Sequence, residues 1–160
     1  MRAVVPGSLA IRGMLPSAPR LRILCAAAVL AASWSMDALA EGDPDKGAKT
    51  FRKCRACHAI VASDGTTIVR GGKVGPNLFG VAGRPAAAVE GFKYGKGLIE
   101  ASEKGLVWDE ENFIDYIRDP PKFVAAYVGV SKVAARMAFK LGKGGEDLYA
   151  YLSQVATESE

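Results

Sequence analysis

The chain has 160 residues, with 21 Lys and Arg against 17 Asp and Glu, and a single histidine. That length suffices for one ordinary domain. The formal net charge of +4 is mostly local: Arg2, Arg12, Arg20, Arg22 and Asp37 are the charged residues of 1–40, and the remainder carries 17 basic against 16 acidic side chains. A remainder this close to neutral argues against a nucleic-acid binder, so any electrostatic partner surface must be a local patch.

Residues 1–40 read as an export signal. The four arginines form a positive leading region, and Ile23 to Ala32 is an apolar stretch of signal-peptide length, short for a membrane anchor. Ala38-Leu39-Ala40 places small residues where a signal peptidase cuts. Cleavage after Ala40 leaves 41–160 as the working domain. The start is Met1 or Met14. Lipidation at Cys25 is disfavoured because the residue before it, Leu24, is large. An uncleaved anchor is disfavoured because Pro44 already opens a helix, with no linker before it. The expected location is the periplasm.

Asp43-Pro44 begins the first element: Asp caps free amides, and Pro suits the first helical position. This helix is expected to reach Ala56, with Gly47 and Phe51 on one face. Asp64-Gly65 is a turn signal that joins two short extended pieces within 60–69. Residues 71–85 hold Gly71, Gly72, Gly75, Pro76, Gly80, Gly83 and Pro85, which marks a loop but not whether it is ordered. A short helix is expected over 97–104, ended by Gly105. Another starts at the Asp109 cap, with Glu110 and Glu111 at its positive end. Phe113, Tyr116 and Ile117 form its apolar face. Asp119-Pro120-Pro121 stops it, because a residue before Pro avoids the helical region. Residues 122–136 are helix-prone but broken by Gly129. A last helix runs from about Gly145 to Thr157, with Leu148, Tyr151, Leu152 and Val155 as its stripe. The fold class is all-α: four to five short helices between long loops. Such a chain gains much by burying a large flat apolar group at its centre.

The chemistry lies in Lys53-Cys54-Arg55-Ala56-Cys57-His58, which contains C-x-x-C-H. Two cysteines three apart at a helix end project from one side and can reach the two vinyl groups on one edge of a haem. The next residue, His58, is then carried under the iron; this is the haem c attachment signature. Other readings fail by counting. A structural zinc site needs four Cys or His ligands, and 41–160 holds only Cys54, Cys57 and His58. A thioredoxin-like pair expects a strand–helix–strand setting that is missing. A Cys54–Cys57 disulfide would close a tiny loop and gain little. Met137 is the sole methionine of 41–160 and lies 79 residues beyond His58, far enough for the chain to return on the opposite face. A lone methionine is usually a core residue. Downstream of C-x-x-C-H it becomes the candidate second axial ligand, a soft thioether that favours the ferrous state. Lys132 or Lys140 could replace it at high pH.

These segments, with Gly75-Pro76-Asn77-Leu78, Gly83-Arg84, Phe92-Lys93-Tyr94, Trp108, Tyr116 with Pro120, Met137-Ala138-Phe139-Lys140 and Glu146-Asp147-Leu148 with Tyr151, resemble class I cytochrome c. They are most similar to the larger bacterial cytochrome c2 proteins, in order and spacing, over nearly all of 43–157. The resemblance implies that fold, wrapped around one haem c held covalently through Cys54 and Cys57, with His58 and Met137 on the iron. It implies that the Pro76 carbonyl orients His58. Arg84, Tyr94 and Trp108 would surround the haem propionates, which need donors when buried. Tyr116 would sit near Met137, and Gly47 and Phe51 would pack on Leu148 and Tyr151. One departure is that Ala134, Ala135 and Arg136 stand where the family often has Thr shortly before the ligand Met.

With both axial positions filled, the iron has no open site, and the protein carries one electron rather than acting as an enzyme. Lys53, Lys73, Lys96, Lys122, Lys140 and Lys143 are candidates for a positive ring around the haem edge that steers docking to acidic partners. The resemblance implies transfer from a cytochrome bc1 complex to a photosynthetic reaction centre or a terminal oxidase, by a monomer without stable membrane insertion.

Overall fold

The computed structural model describes residues 42–157. The expected leader and its cleavage site lie outside them. Among the described residues there are five helices: α1 (Pro44–Phe51), α2 (Lys96–Glu103), α3 (Glu110–Arg118), α4 (Pro120–Val128) and α5 (Gly145–Thr157). The one sheet is a hairpin, β1 (Ile60–Val61) antiparallel to β2 (Thr67–Val69), turned at Asp64-Gly65 as its sequence predicts. Asp64 Oδ1 accepts from the Thr66 amide at 2.8 Å.

α1 starts where its cap chemistry places it. The Asp43 side chain accepts from the Lys46 amide, and Pro44 follows at the first position. The Asp43 amide in turn donates to Asp147 Oδ1 at 2.8 Å, tying the start of α1 to α5. The helices then cross at Gly47, where any Cβ would overlap the Asp147 carbonyl and lie 2.6 Å from the Tyr151 Cβ. Only a residue without a side chain allows backbones this close. Next to the crossing, Phe51 is 1 % exposed and its ring lies 5.9 Å from that of Tyr151. Leu148, Leu152 and Val155 complete the buried face of α5. Burying a phenylalanine contributes about 2–3 kcal/mol, so this contact anchors the core. Leu106, Phe113, Ile117, Val124 and Leu141 extend it.

The Asp43 carboxylate sits below its ordinary value of 3.8, held there first by the Lys46 backbone N–H and then by the Lys46 side chain. Its contribution to stability is therefore present above pH 3.8 and is lost as the pH falls through the lower folded value. Asp43→Asn keeps a capping oxygen but cannot titrate. Thermal melts of this variant should show a shallower loss of stability below about pH 4 than the native chain.

Two helix boundaries differ from expectation. α1 ends at Phe51, not Ala56. Beyond it the bonds tighten to i→i+3: Lys53 N to Thr50 O at 3.0 Å and Cys54 N to Phe51 O at 2.8 Å. The segment that follows docks outside the helix: the carbonyls of Arg55 and Cys57 accept from Gly72 at 2.9 Å and Gly75 at 2.8 Å. α4 begins at Pro120, earlier than expected, because Asp119 ends α3 and also caps α4. It stops at Gly129, φ 83°, whose N–H closes onto Ala125 and Ala126. Residues 130–136 leave the helix and form no regular secondary structure.

Candidate functional site

The tightened turn after α1 eclipses residues three apart, so Cys54 and Cys57 reach the same cavity wall. Both are free thiols. Burial first, then Cys57 beside it, pushes the Cys54 thiol up to about 11. The cavity holds about 380 Å³. All nine residues singled out from the sequence line it: Cys54, Cys57, His58, Pro76, Arg84, Tyr94, Trp108, Tyr116 and Met137. A second hollow of about 410 Å³, between α4 and residues 130–133, has no Cys, His or Met in its walls.

His58 is held by the glycine-rich loop, which is ordered. Besides the two glycine bonds above, Leu78 N donates to Ala59 O at 3.1 Å. Asn77 pairs with Val61 in both directions, accepting its N–H at 3.0 Å and donating to its C=O at 2.7 Å. The loop thus lies along 55–61 like an added strand. At its centre His58 Nδ1 lies 2.8 Å from the Pro76 carbonyl. A carbonyl only accepts, so Nδ1 carries the proton and Nε2 remains a bare acceptor with no hydrogen bond. A Cβ on Gly75 would strike this imidazole, so glycine there lets the loop seat flat against the ring. Burial pushes the imidazole below its ordinary value, and the Pro76 bond partly opposes that.

The far side of the cavity is made by a non-local backbone ladder. Gly83 N donates to Trp108 O at 2.8 Å, Trp108 N to Arg84 O at 2.9 Å, and Ala86 N to Leu106 O at 2.8 Å. Arg84 and Trp108, distant in sequence, are thereby neighbours. The Arg84 guanidinium donates to Phe79 O at 2.8 Å and Asn77 O at 3.1 Å. It is half-buried without a salt bridge to any described carboxylate, and burial lowers its pKa. Tyr94 accepts from Val89 N at 3.2 Å, which leaves its own hydroxyl proton to give. The rings of Trp108 and Tyr116 lie 4.8 Å apart, tilted by 52°. Burial, then the nearby Tyr94, pushes the Tyr116 phenol up to about 12.

Met137 also lines the cavity, on the stretch 134–139. Val81, Phe113, Ile117, Val124 and Leu148 make the rest of the walls apolar. These walls fit a haem: two thiols on one edge, a bare imidazole nitrogen and a thioether, a greasy interior, and a half-buried cation with polar neighbours for acidic substituents. Of the six lysines, Lys53 borders the cavity and Lys73, Lys96, Lys122 and Lys143 are exposed. Lys140 is also exposed but ion-paired with Asp119 at 2.6 Å. Two residues had no role assigned from the sequence. They are Asn77, which orders the loop, and Arg136, whose guanidinium donates to the Lys93 carbonyl at 2.5 Å. Neither contact has a local sequence signature.

Comparison with known proteins agrees with this geometry. No protein-family model matches the chain. It is 49 % identical over 134 residues to cytochrome c-551 of Roseobacter denitrificans, covering 83 % of this chain and 96 % of the relative. It is 51 % identical over 136 residues to cytochrome c2 of Cereibacter sphaeroides, covering 82 % and 94 %. Among solved structures, ferric cytochrome c-550 from Paracoccus versutus superposes with a TM-score of 0.70 at 51 % identity, over 72 % of this chain and 99 % of that one. Cytochrome c2 from Paracoccus denitrificans gives 0.71 at 46 % identity, over 73 % and 98 %.

Proposed function

We propose that this chain, which belongs to the class I cytochrome c family in its cytochrome c2 and c-550 branch, is a soluble periplasmic one-electron carrier whose iron is held by His58 and Met137. Family membership brings one haem c, joined through Cys54 and Cys57, and electron transport as the work. When bound, the group supplies reversible exchange of a single electron.

The chain's own residues hold, orient and shield it. Cys54 and Cys57 fix one edge. His58 turns Nε2 to the metal because Pro76 holds the other nitrogen at 2.8 Å. Met137, on the same cavity, would supply the sulfur ligand, which would favour the reduced state. Arg84, Tyr94 and Trp108 offer donors to the propionates, and Tyr116 packs beside Trp108. The apolar walls keep water out. With His58 and Met137 both on the iron, no place would remain for substrate, so the reading is carrier and not enzyme. The observation that carries it is the meeting at one cavity of the Cys54-Cys57-His58 motif with six residues spread over 76–137.

The arginine-bearing, apolar leader supports export to the periplasm. No described helix is long and apolar enough to cross a membrane. Lys53 at the cavity edge and the other exposed lysines support docking to acidic faces of a bc1 complex as donor and a reaction centre or oxidase as acceptor, by a monomer. Two spectra test the ligation. The ferric protein should show a sulfur-to-iron charge-transfer band, and the ferrous protein should bind carbon monoxide poorly. A ferric spectrum without that band, with ready carbon monoxide binding, would instead mark a gas-binding or peroxidase-like site.

A further inference from the structure

The segment 131–140, which carries Met137, is bound unlike the rest of the fold. No backbone N–H or C=O within it takes part in a backbone hydrogen bond. The flanking anchors are Val130 N to Ala125 O at 2.9 Å and Leu141 N to Ile117 O at 2.8 Å. Between them, two side chains reach outward to other elements. Arg136 Nη1 donates to the Lys93 carbonyl at 2.5 Å, across 43 residues, on the stretch that holds Tyr94. Lys140 Nζ bonds Asp119 Oδ2 at 2.6 Å, at the junction of α3 and α4. The two bonds flank Met137 in sequence and engage separate elements, the stretch before α2 and the α3–α4 junction.

We propose that Arg136 and Lys140 are positioning residues that tether the Met137 segment and set how readily an outside ligand displaces the thioether. A backbone ladder would resist opening along its length. Here opening the segment breaks chiefly two side-chain bonds and the apolar contacts of Val133 and Met137. Such a segment belongs to the low-stability end of a fold, where local opening is governed by few interactions. Both tethers are exposed, so each is worth about one ordinary hydrogen bond, roughly a fivefold change in the opening equilibrium. They share no partner, so their effects should multiply. The inference rests on Met137 being an iron ligand.

The test is imidazole titration of the ferric holoprotein, followed through the sulfur-to-iron band. Arg136→Met and Lys140→Met keep the aliphatic stems and remove the donors. Each should tighten apparent imidazole binding about fivefold, and the double variant about twenty-fivefold. Asp43→Ala, which weakens the cap of α1 far from this segment, serves as the control for general destabilisation and should leave imidazole affinity unchanged. Unchanged affinity in both single variants would overturn the proposal, as would an equal rise in the Asp43 control. A native protein that lacks the sulfur band and binds imidazole as tightly as Met137→Ala would overturn the underlying ligation instead.

Discussion

Met137→Ala should lower the reduction potential by on the order of 0.2 V, a modest part of the ~0.8 V that axial ligands span, and should convert the ferrous protein into a good binder of carbon monoxide. A neutral thioether stabilises the electron-rich ferrous state; water or an empty position does so less. The cavity geometry predicts that little else moves. Met137 lies on the weakly bonded stretch 131–140, whereas the Cys54, Cys57 and His58 wall is held by the docked loop and by Pro76. The His58 side should therefore survive the substitution. A redox titration and a carbon monoxide difference spectrum check both parts. An unchanged potential would remove Met137 from the iron and with it the electron-carrier reading.

Gly47→Ala should destabilise the protein by about 3 kcal/mol, lowering Tm by ~10–15 °C for a domain of this size. The sign is informative because helix propensity points the other way: Ala in a helix interior is favoured over Gly by ~1 kcal/mol. The added methyl would overlap the Asp147 carbonyl and crowd the Tyr151 Cβ, both on the relatively rigid α5 backbone. Relief requires α1 and α5 to separate, which loosens the seal around Phe51. Thermal unfolding of the holoprotein measures the effect, and a stabilised variant would show that the crossing is not as tight as the geometry makes it.

What could be read before any coordinates was what local chemistry encodes. Asp43-Pro44 and Asp109 start helices because a side-chain oxygen satisfies a neighbouring amide. The C-x-x-C-H motif is legible because the cofactor's own dimensions impose its spacing. The remaining site residues came through family resemblance, and all of them line the cavity. The losses were non-local. Asp119-Pro120-Pro121 reads as a stop, and it is one for α3, yet the same carboxylate and prolines start α4. α1 was drawn too long because nothing within it shows that the chain after Phe51 will tighten into turns and dock on Gly72 and Gly75. The order of the glycine-rich loop, the Asn77 pairing and the Arg84–Trp108 ladder each join segments far apart in the chain, where composition carries no trace.

The bond from the Asp43 amide to Asp147 joins positions 104 apart, and this latch has a consequence for how the protein comes into being. α1 packs chiefly on α5, far along the chain from it. Contacts of such high sequence separation form late and slowly. Without α5, Phe51 loses the ring of Tyr151 and most of its cover, so α1 is a late-docking element, and deleting α5 should free α1 as well.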